Sequence, residues 1–415
     1  MKILIVEDGP GVRDISLSGR DYAEKFQDLV SRKYWWSDFY LQGFQDLGCE
    51  ATQIYPENPD LAACYCNEFG EGIFRMGAEL VCYEIKRFDP EIVLLHSDSI
   101  ITNLSAIKEI RNCLPSGAIL TGYYGTVSPK FDPAKSGLDL LFVPCKWMVQ
   151  KYREAGLAST QIRHAVNIPS SEKSFKTGEG ERDLFSFVGN VYDVSELWKY
   201  SYEVLKAVLP TTSLEVWGKI SRPWRSSLSA ELCFRSNQVL RKLGISTNWR
   251  KGIPWLRWGS SWTESPNQAR FGLRHYKDRV HAPAYGDVLD KILRRSLVTL
   301  NVHADIARGE SVNFRLFESV REGACLLTNH TSDLAEVYDD DEVVSFRGPT
   351  EAIEKANFLM SRPDVARDYA KRARDRARRS HTFRSRVEEM FDVMAQLKFG
   401  SLKRSTKTPS ISRFK

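Results

Sequence analysis

Two carboxylates, Glu310 and Glu318, stand eight positions apart in the stretch GESVNFRLFESVREGACLLTN, residues 309–329. The run reads as a polar loop, a helix capped by Ser311, Gly323 at the helix end, and a short apolar strand from Cys325 to Thr328. Phe317, Val320 and Ala324 recur at helical spacing and form the side that faces a core. One acid therefore lies in the loop ahead of the helix and the other at least a turn inside it. A ligand laid across the helix N-terminus would meet both. Backbone N–H groups there have no intrahelical acceptor and receive a diphosphate. The flanking acids then accept hydrogen bonds from hydroxyls on either side. The plainer alternative is that Arg315 and Glu318, three residues apart, form a surface ion pair worth roughly a few tenths of a kcal/mol.

The elements that must carry this stretch can be read in order. Lys2–Glu7 (KILIVE) is a buried strand, followed by a loop with Gly9, Pro10 and Gly11. A helix over Ser37–Leu47 with Ser37 as cap, a strand over Ala51–Tyr55, a helix over Gly77–Arg87 and a strand over Glu91–His96 come next. Then follow a helix over Ala106–Leu114 between Ser105 and Pro115, strands over Ala118–Tyr123 and Leu138–Val143, and a helix over Lys146–Ala155. Continuous apolar strands alternating with helices specify a parallel sheet covered on both faces. The strand ends at Asp8, His96 and Tyr123 then line the crevice where such sheets bind ligands. The polar run PSSEKSFKTGEGERD, residues 169–183, is a linker.

A second unit of the same kind opens with the strand Leu184–Val188, closed by Gly189 and Asn190. It continues through a helix over Ser195–Val208, strand Leu214–Trp217 with Gly218, helix Gly286–Arg295 and strand Val298–Val302. The opening stretch follows, then a strand over Val343–Phe346 and helices from Thr350. The expected domains are 1–168 and 184–383, with a helix at about 384–400 returning to the first domain and a disordered basic tail over 401–415.

A chain of 415 residues is too long for one core and suits two. Its 42% hydrophobic and 27% charged content are those of a globular protein. No apolar run is long enough for a membrane span, and MKILIVEDG reads as a first strand rather than a signal peptide. The eight cysteines form no C-x-x-C pattern and no zinc spacing, so reduced thiols and a cytoplasmic protein are expected. The net charge of +6 is unevenly spread. Residues 221–280 hold 12 Lys or Arg against 3 Asp or Glu, a net +9, and five of the ten tryptophans: Trp224, Trp249, Trp255, Trp258 and Trp262. Basic residues interleaved with tryptophan suit an anionic membrane interface, an anionic carbohydrate or nucleic acid. They equally suit a self-packing subdomain whose tryptophans are its core. Peripheral attachment to the inner face of a membrane, helped by the basic tail, is the expectation taken forward.

The run GESVNFRLFE followed by GACLLTN, then EVVSF at 342–346 and HTFRSR at 381–386, resembles the glycosyltransferase domain of the CgeB-like (spore maturation) family. FSFVGN at 185–190 and LVTLNVH at 297–303 match its usual order, so the resemblance covers roughly residues 184–392. It implies the GT-B architecture, two Rossmann-like doubly wound domains facing a central cleft. Glu310 and Glu318 also reproduce the E-x7-E spacing of group 1 glycosyltransferases, which implies a retaining transfer. Val312-Asn313-Phe314 depart from that pattern, standing where small residues are usual.

On this reading a nucleotide-diphosphate sugar is the donor. Glu318 accepts both ribose hydroxyls, and the amides of Ser311, Val312 and Asn313 with the Arg315 guanidinium take the diphosphate. Gly189 and Asn190 allow close backbone approach, Tyr285 in HAPAYG stacks on the base, and Glu310 binds the transferred sugar. The resemblance implies that protein groups neutralise the leaving group, so neither a cofactor nor a divalent metal is called for. The one D-x-D, Asp339 to Asp341, precedes a strand and does not close one. On the acceptor side Asp8, Arg13, His96, Asp98 and Tyr124 lie at strand ends, and His96 or Asp98 is the candidate general base of an inverting reaction. The expected activity is transfer to a glycan, lipid-linked or protein acceptor. Two other functions fit the same fold: nucleotide-sugar epimerisation, and nucleotide-sugar binding without catalysis.

Overall fold

The computed structural model describes the chain outside residues 9–11, 33–36, 71, 126–130, 168–181, 193–197, 219, 222–227, 258–259, 261–273, 311–312 and 401–415. Its contacts divide the protein into two units, Met1–Asn167 with the chain from His381 onward, and Ile168–Ser380. In the first, β1 (Lys2–Asp8), β2 (Glu50–Ile54), β3 (Ile92–Ser97), β4 (Ile119–Tyr123), β5 (Leu140–Val143) and β6 (Ser159–Gln161) form one parallel sheet in the order β2-β1-β3-β4-β5-β6. Ile3 to Val6 and Ile92 to Leu95 have no exposed surface, as strands covered on both faces require. The chain steps from β1 outward to β2 and returns to β3, so the topological switch point lies between β1 and β3. Glu7 stands opposite His96 there, and Asp8 opposite Ser97.

The second unit holds β7 (Leu184–Val188), β8 (Val191–Tyr192), β9 (Glu215–Trp217), β10 (Ile220–Ser221), β11 (Val280–His281), β12 (Ser296–Asn301), β13 (Cys325–Asn329) and β14 (Val344–Phe346). Six of them form a parallel sheet ordered β11-β9-β7-β12-β13-β14, and β8 pairs separately with β10. Here the switch point lies between β7 and β12. The architecture is α/β, with two doubly wound parallel sheets.

Several local expectations shift. The helix expected from Ser37 runs Phe39–Asp46; Ser37 itself is left-handed (φ 48°) and its hydroxyl donates back to the Val30 carbonyl. Asn103 rather than Ser105 caps the helix Leu104–Cys113, accepting from the Ser105 and Ala106 amides. Helices Tyr22–Ser31 and Pro59–Phe69 were hidden by their polar and cysteine-rich composition. Their caps are regular, Asp21 accepting from the Glu24 amide and Asn58 from the Leu61 amide. The linker expected over 169–183 and the tail over 401–415 fall almost wholly or wholly outside the described residues.

The insert folds as helices Leu228–Lys242, Thr247–Gly252 and Pro254–Arg257. They gather around Arg250, a buried side chain that donates to Asn237 Oδ1, the Ser260 carbonyl and Thr247 Oγ1. Trp249 and Trp255 are not its core: they are 56% and 52% exposed. Trp224, Trp258 and Trp262 lie outside the described residues.

The helix Phe383–Lys398 belongs to the first unit. Thr382 caps it and pairs as an isolated bridge with Val166, Phe383 lies edge-on to Tyr40, and Arg386 donates to the Arg163 carbonyl at 3.1 Å. Its closest partner is the helix Phe39–Asp46. A Cβ at Gly43 would stand 2.7 Å from Val387 Cγ2, and a β-branched side chain in a helix has little rotamer freedom with which to yield. Gly43→Ala therefore sets two effects against each other. Helix propensity favours alanine by about 1 kcal/mol, and overpacking costs about 1–3 kcal/mol. Packing should prevail and lower the urea midpoint of the first unit; a raised midpoint would mean that the two helices are loosely packed.

Candidate functional site

Gly189 ends β7 at the second switch point, and the chain there is held by backbone contacts. Its N–H donates to the Trp217 carbonyl, and the Gly218 N–H donates to the His281 carbonyl. A Cβ on Gly218 would stand 1.9 Å from the Gly189 carbonyl oxygen, so β7 and β9 can end side by side only with glycine at 218. Beside them the Trp217 and His281 rings stack at 4.6 Å, and His281 Nε2 lies 2.5 Å from Glu215 Oε2. Tyr285, on the loop leaving β11, is 44% exposed and precedes the helix Gly286–Arg295.

Across the switch point the helix is Arg315–Arg321, seven residues long and beginning three positions later than a Ser311 cap implies. Asn313 takes over the capping. Its Oδ1 accepts from the Arg315 N–H, and its Nδ2 donates to Asn301 Oδ1 at the end of β12. The Leu316, Phe317 and Glu318 amides donate to the Asn313 and Phe314 carbonyls. The first N–H groups of this helix are thus already bonded. Ser311 and Val312 lie outside the described residues.

Arg315 and Glu318 form the ion pair that their spacing of three residues allows. Arg315 Nε donates to the Val188 carbonyl at 3.1 Å, and its guanidinium pairs with Glu318 at 2.5 Å. Both are largely buried, with side chains 16% and 13% exposed, so this is not the solvated pair of the plainer reading. Glu310 lies on a separate loop. It follows two consecutive left-handed residues, Arg308 (φ 52°) and Gly309 (φ 81°), and the Gly309 carbonyl accepts from both the N–H and the hydroxyl of Ser332. Phe317, Val320 and Ala324 are fully buried as their spacing predicts, and Gly323 is left-handed at the helix end.

Sequence reasoning missed a polar network along the same strand ends. Asn301 Nδ2 donates to Thr328 Oγ1, and the His303 N–H donates to Asn329 Oδ1. His303 is 3% exposed, and burial holds its pKa down at about 4, opposed weakly by Asp333. The available signal was the polar residue closing each apolar run, LVTLNVH and CLLTNH.

In the first unit the strand-end residues separate into an enclosed pair and an open rim. His96 Nδ1 comes within 2.9 Å of Glu7, and its ring lies edge-on to both Tyr40 and Tyr123. Burial raises the Glu7 pKa, with His96 opposing. His96 is 4% exposed, so it does not stand open at the crevice as a general base would. Tyr124 is likewise core, packed on Phe131. Asp8 accepts from the Ser97 and Ser99 hydroxyls, Arg13 pairs with Glu57, and Asp98 is exposed at the start of the short helix Asp98–Ile101. Asp339 and Asp341 face Arg376 and Arg372, and no group of three His, Cys, Asp or Glu among the described residues could hold a metal.

Residues 235–392 match the family model described as glycosyl transferase-like. No curated protein sequence matches the chain. Among solved structures it is similar to AviGT4, a glycosyltransferase involved in avilamycin A biosynthesis, at 14% identity and TM-score 0.53 over 96% of this chain and 98% of that one. It is also similar to sucrose-phosphate synthase from Thermosynechococcus elongatus, at 11% and 0.52 over 97% and 100%. An alpha-glucosyltransferase in complex with UDP and a 13-mer DNA follows, at 10% and 0.53 over 95% and 98%. These likenesses give the fold: it is that of the GT-B glycosyltransferases. The matched residues 235–392 form a glycosyl transferase-like domain within that fold.

The His303 shift has a definite sign. A folded pKa near 4, against an ordinary value near 6.5, means that the unfolded chain takes up this proton first. The residue's contribution to stability is complete above pH 6.5 and is lost as pH falls toward 4. The urea-midpoint advantage of wild type over His303→Asn should therefore shrink between pH 7.5 and pH 4.5. A constant gap would show that the ring titrates as an ordinary histidine.

Proposed function

We propose that the protein transfers a sugar from a nucleotide-diphosphate sugar to a glycan, lipid-linked or protein acceptor, as a member of the CgeB-like branch. The observation carrying this reading is the largely enclosed Arg315–Glu318 pair, which lies inside the matched residues and is fixed to the end of β7. Glu318 accepts the two ribose hydroxyls as charge-assisted hydrogen bonds, which are stronger than neutral ones. Arg315 orients Glu318 and supplies positive charge to the departing diphosphate, which gains charge as the glycosidic bond breaks. Tyr285, beside the Trp217–His281 stack, offers a face for the base. Glu310, aimed by its left-handed turn, holds hydroxyls of the transferred sugar, and the E-x7-E spacing favours retention. Asp98 is the exposed carboxylate on the acceptor side. The basic insert belongs to the same reading, as the attachment of a cytoplasmic enzyme to an anionic membrane surface where a lipid-linked acceptor is met.

UDP is the first probe, because a structural neighbour is bound to it. Calorimetry should give saturable UDP binding that Glu318→Gln weakens by about 1–3 kcal/mol, the loss expected for charge-assisted hydrogen bonds. Arg315→Ala should lower kcat more than it raises the donor KM. Unchanged UDP affinity in Glu318→Gln would remove the ribose assignment. Turnover without an acceptor would favour epimerisation, and UDP binding without turnover a non-catalytic role.

With Arg315 in place of a metal ion at the diphosphate, transfer measured in excess EDTA should match transfer in magnesium. A loss reversed by magnesium would assign the diphosphate to a cation instead.

A further inference from the structure

The helix Leu228–Lys242 carries apolar residues on more than its packed side. The side that packs against the rest of the insert carries the buried Cys233 and Asn237 beside the half-buried Leu240. Cys233 donates to the Trp255 carbonyl, and Asn237 donates to the Cys233 and Leu256 carbonyls while its Oδ1 accepts from the buried Arg250. Three further apolar residues lie elsewhere. Leu232, Val239 and Leu243 are 57%, 57% and 70% exposed. Their spacings of seven and four residues bring them within about 20° of one line along the helix, at about 100° per residue. Cys233 and Asn237 sit about 100–140° around the axis from that line. Arg235 and Lys242, both exposed, border the stripe on one side.

A water-soluble helix turns its leucines inward and its amides outward. Here a second, outward side is aliphatic as well, beyond what packing within the insert uses, so the outer face suits an apolar medium. The residues around it decide which medium. The segment 221–280 carries net +9, and Lys251 and Arg257 on the neighbouring helices are exposed, as are Trp249 and Trp255. A second copy of this chain would bring the same positive charge to the same face and be repelled. An anionic bilayer supplies both an apolar layer for the stripe and negative headgroups for the cations, each Lys or Arg near such a surface adding attraction of similar size.

We propose that the helix Leu228–Lys242 is the membrane-inserting element of the protein, lying in the interfacial plane with Leu232, Val239 and Leu243 among the acyl chains. This rests on the membrane-surface reading above and deepens it, assigning insertion to an aliphatic stripe rather than to the tryptophans. The helix is too short and polar to span the bilayer, and no helix among the described residues is long and apolar enough to do so. It lies on the membrane, with Arg235 and Lys242 at headgroup level.

The test uses the full chain and vesicles of equal parts phosphatidylglycerol and phosphatidylcholine, with pure phosphatidylcholine as control. Wild type should co-sediment with the anionic vesicles, and the triple variant Leu232→Ser, Val239→Ser, Leu243→Ser should partition at least about ten-fold more weakly, through lost apolar burial. Because the three positions are exposed, the variant should keep the wild-type thermal midpoint. Trp249→Ser with Trp255→Ser should partition within about three-fold of wild type. If wild type binds and the triple variant binds equally well, the stripe does not insert, although membrane attachment stands. If wild type stays in the supernatant at low salt, the membrane reading fails together with the inference. If the triple substitution instead abolishes a concentration-dependent dimer seen by light scattering, the stripe is covered by a second copy.

Discussion

One guanidinium fixes the geometry on which the donor site depends. Arg315 is bound at once to the last carbonyl of β7 and to a carboxylate one helical turn ahead of it. The first bond ties the helix after β12 to the strand on the other side of the switch point. The second holds Glu318 in a single orientation. Lysine at 315 could not do both, since an ammonium is a point charge without a planar fork. Around this clamp the remaining parts are backbone solutions to crowding. Gly218 lets β9 end against β7, Asn313 closes a helix start that has no conventional cap, and the Ser332 bonds to Gly309 set the loop that carries Glu310.

The two switch points show that one topology can carry opposite chemistry. In the second unit the strand ends bear amides, hydroxyls and a neutral imidazole, groups that match hydroxyl-rich ligands. In the first, Glu7 and His96 face each other between the rings of Tyr40 and Tyr123, where burial disfavours the charge on the acid. The pair is enclosed under helices of its own unit, and the hydrophilic rim around Asp8, Arg13, Ser99 and Asp98 is what remains for contact with another molecule.

The sheets were readable from the sequence because their strands are continuous apolar runs; Leu184–Val188 and the helix Gly286–Arg295 fall where the pattern places them. Helices with polar or cysteine-rich faces, Tyr22–Ser31 and Pro59–Phe69, escaped because their burial is decided by neighbours in space rather than by period. Within the site, Arg315 and Glu318 were legible through spacing and resemblance. Asn301, His303 and Asn329 were not, since a polar residue after a strand looks the same whether it faces solvent or a partner two strands away. His96 was misjudged for a related reason. Alternation tells on which side of a sheet a residue lies, but not that Tyr40, itself backed by Phe383 from the far end of the chain, will lie against it.

The returning helix Phe383–Lys398 has a consequence for how the chain comes into being. The unit from Ile168 to Ser380 is contiguous, whereas the first unit takes its last helix, Phe383–Lys398, from beyond it. A ribosome releases sequence in order, and domains fold as their residues emerge. The N-terminal sheet therefore waits, with the side of Phe39–Asp46 that receives Phe383 and Val387 still bare, until the entire second unit has been made. During synthesis the later-encoded unit is the first with all its parts, and the earlier one spends that interval with an apolar helix face still in water.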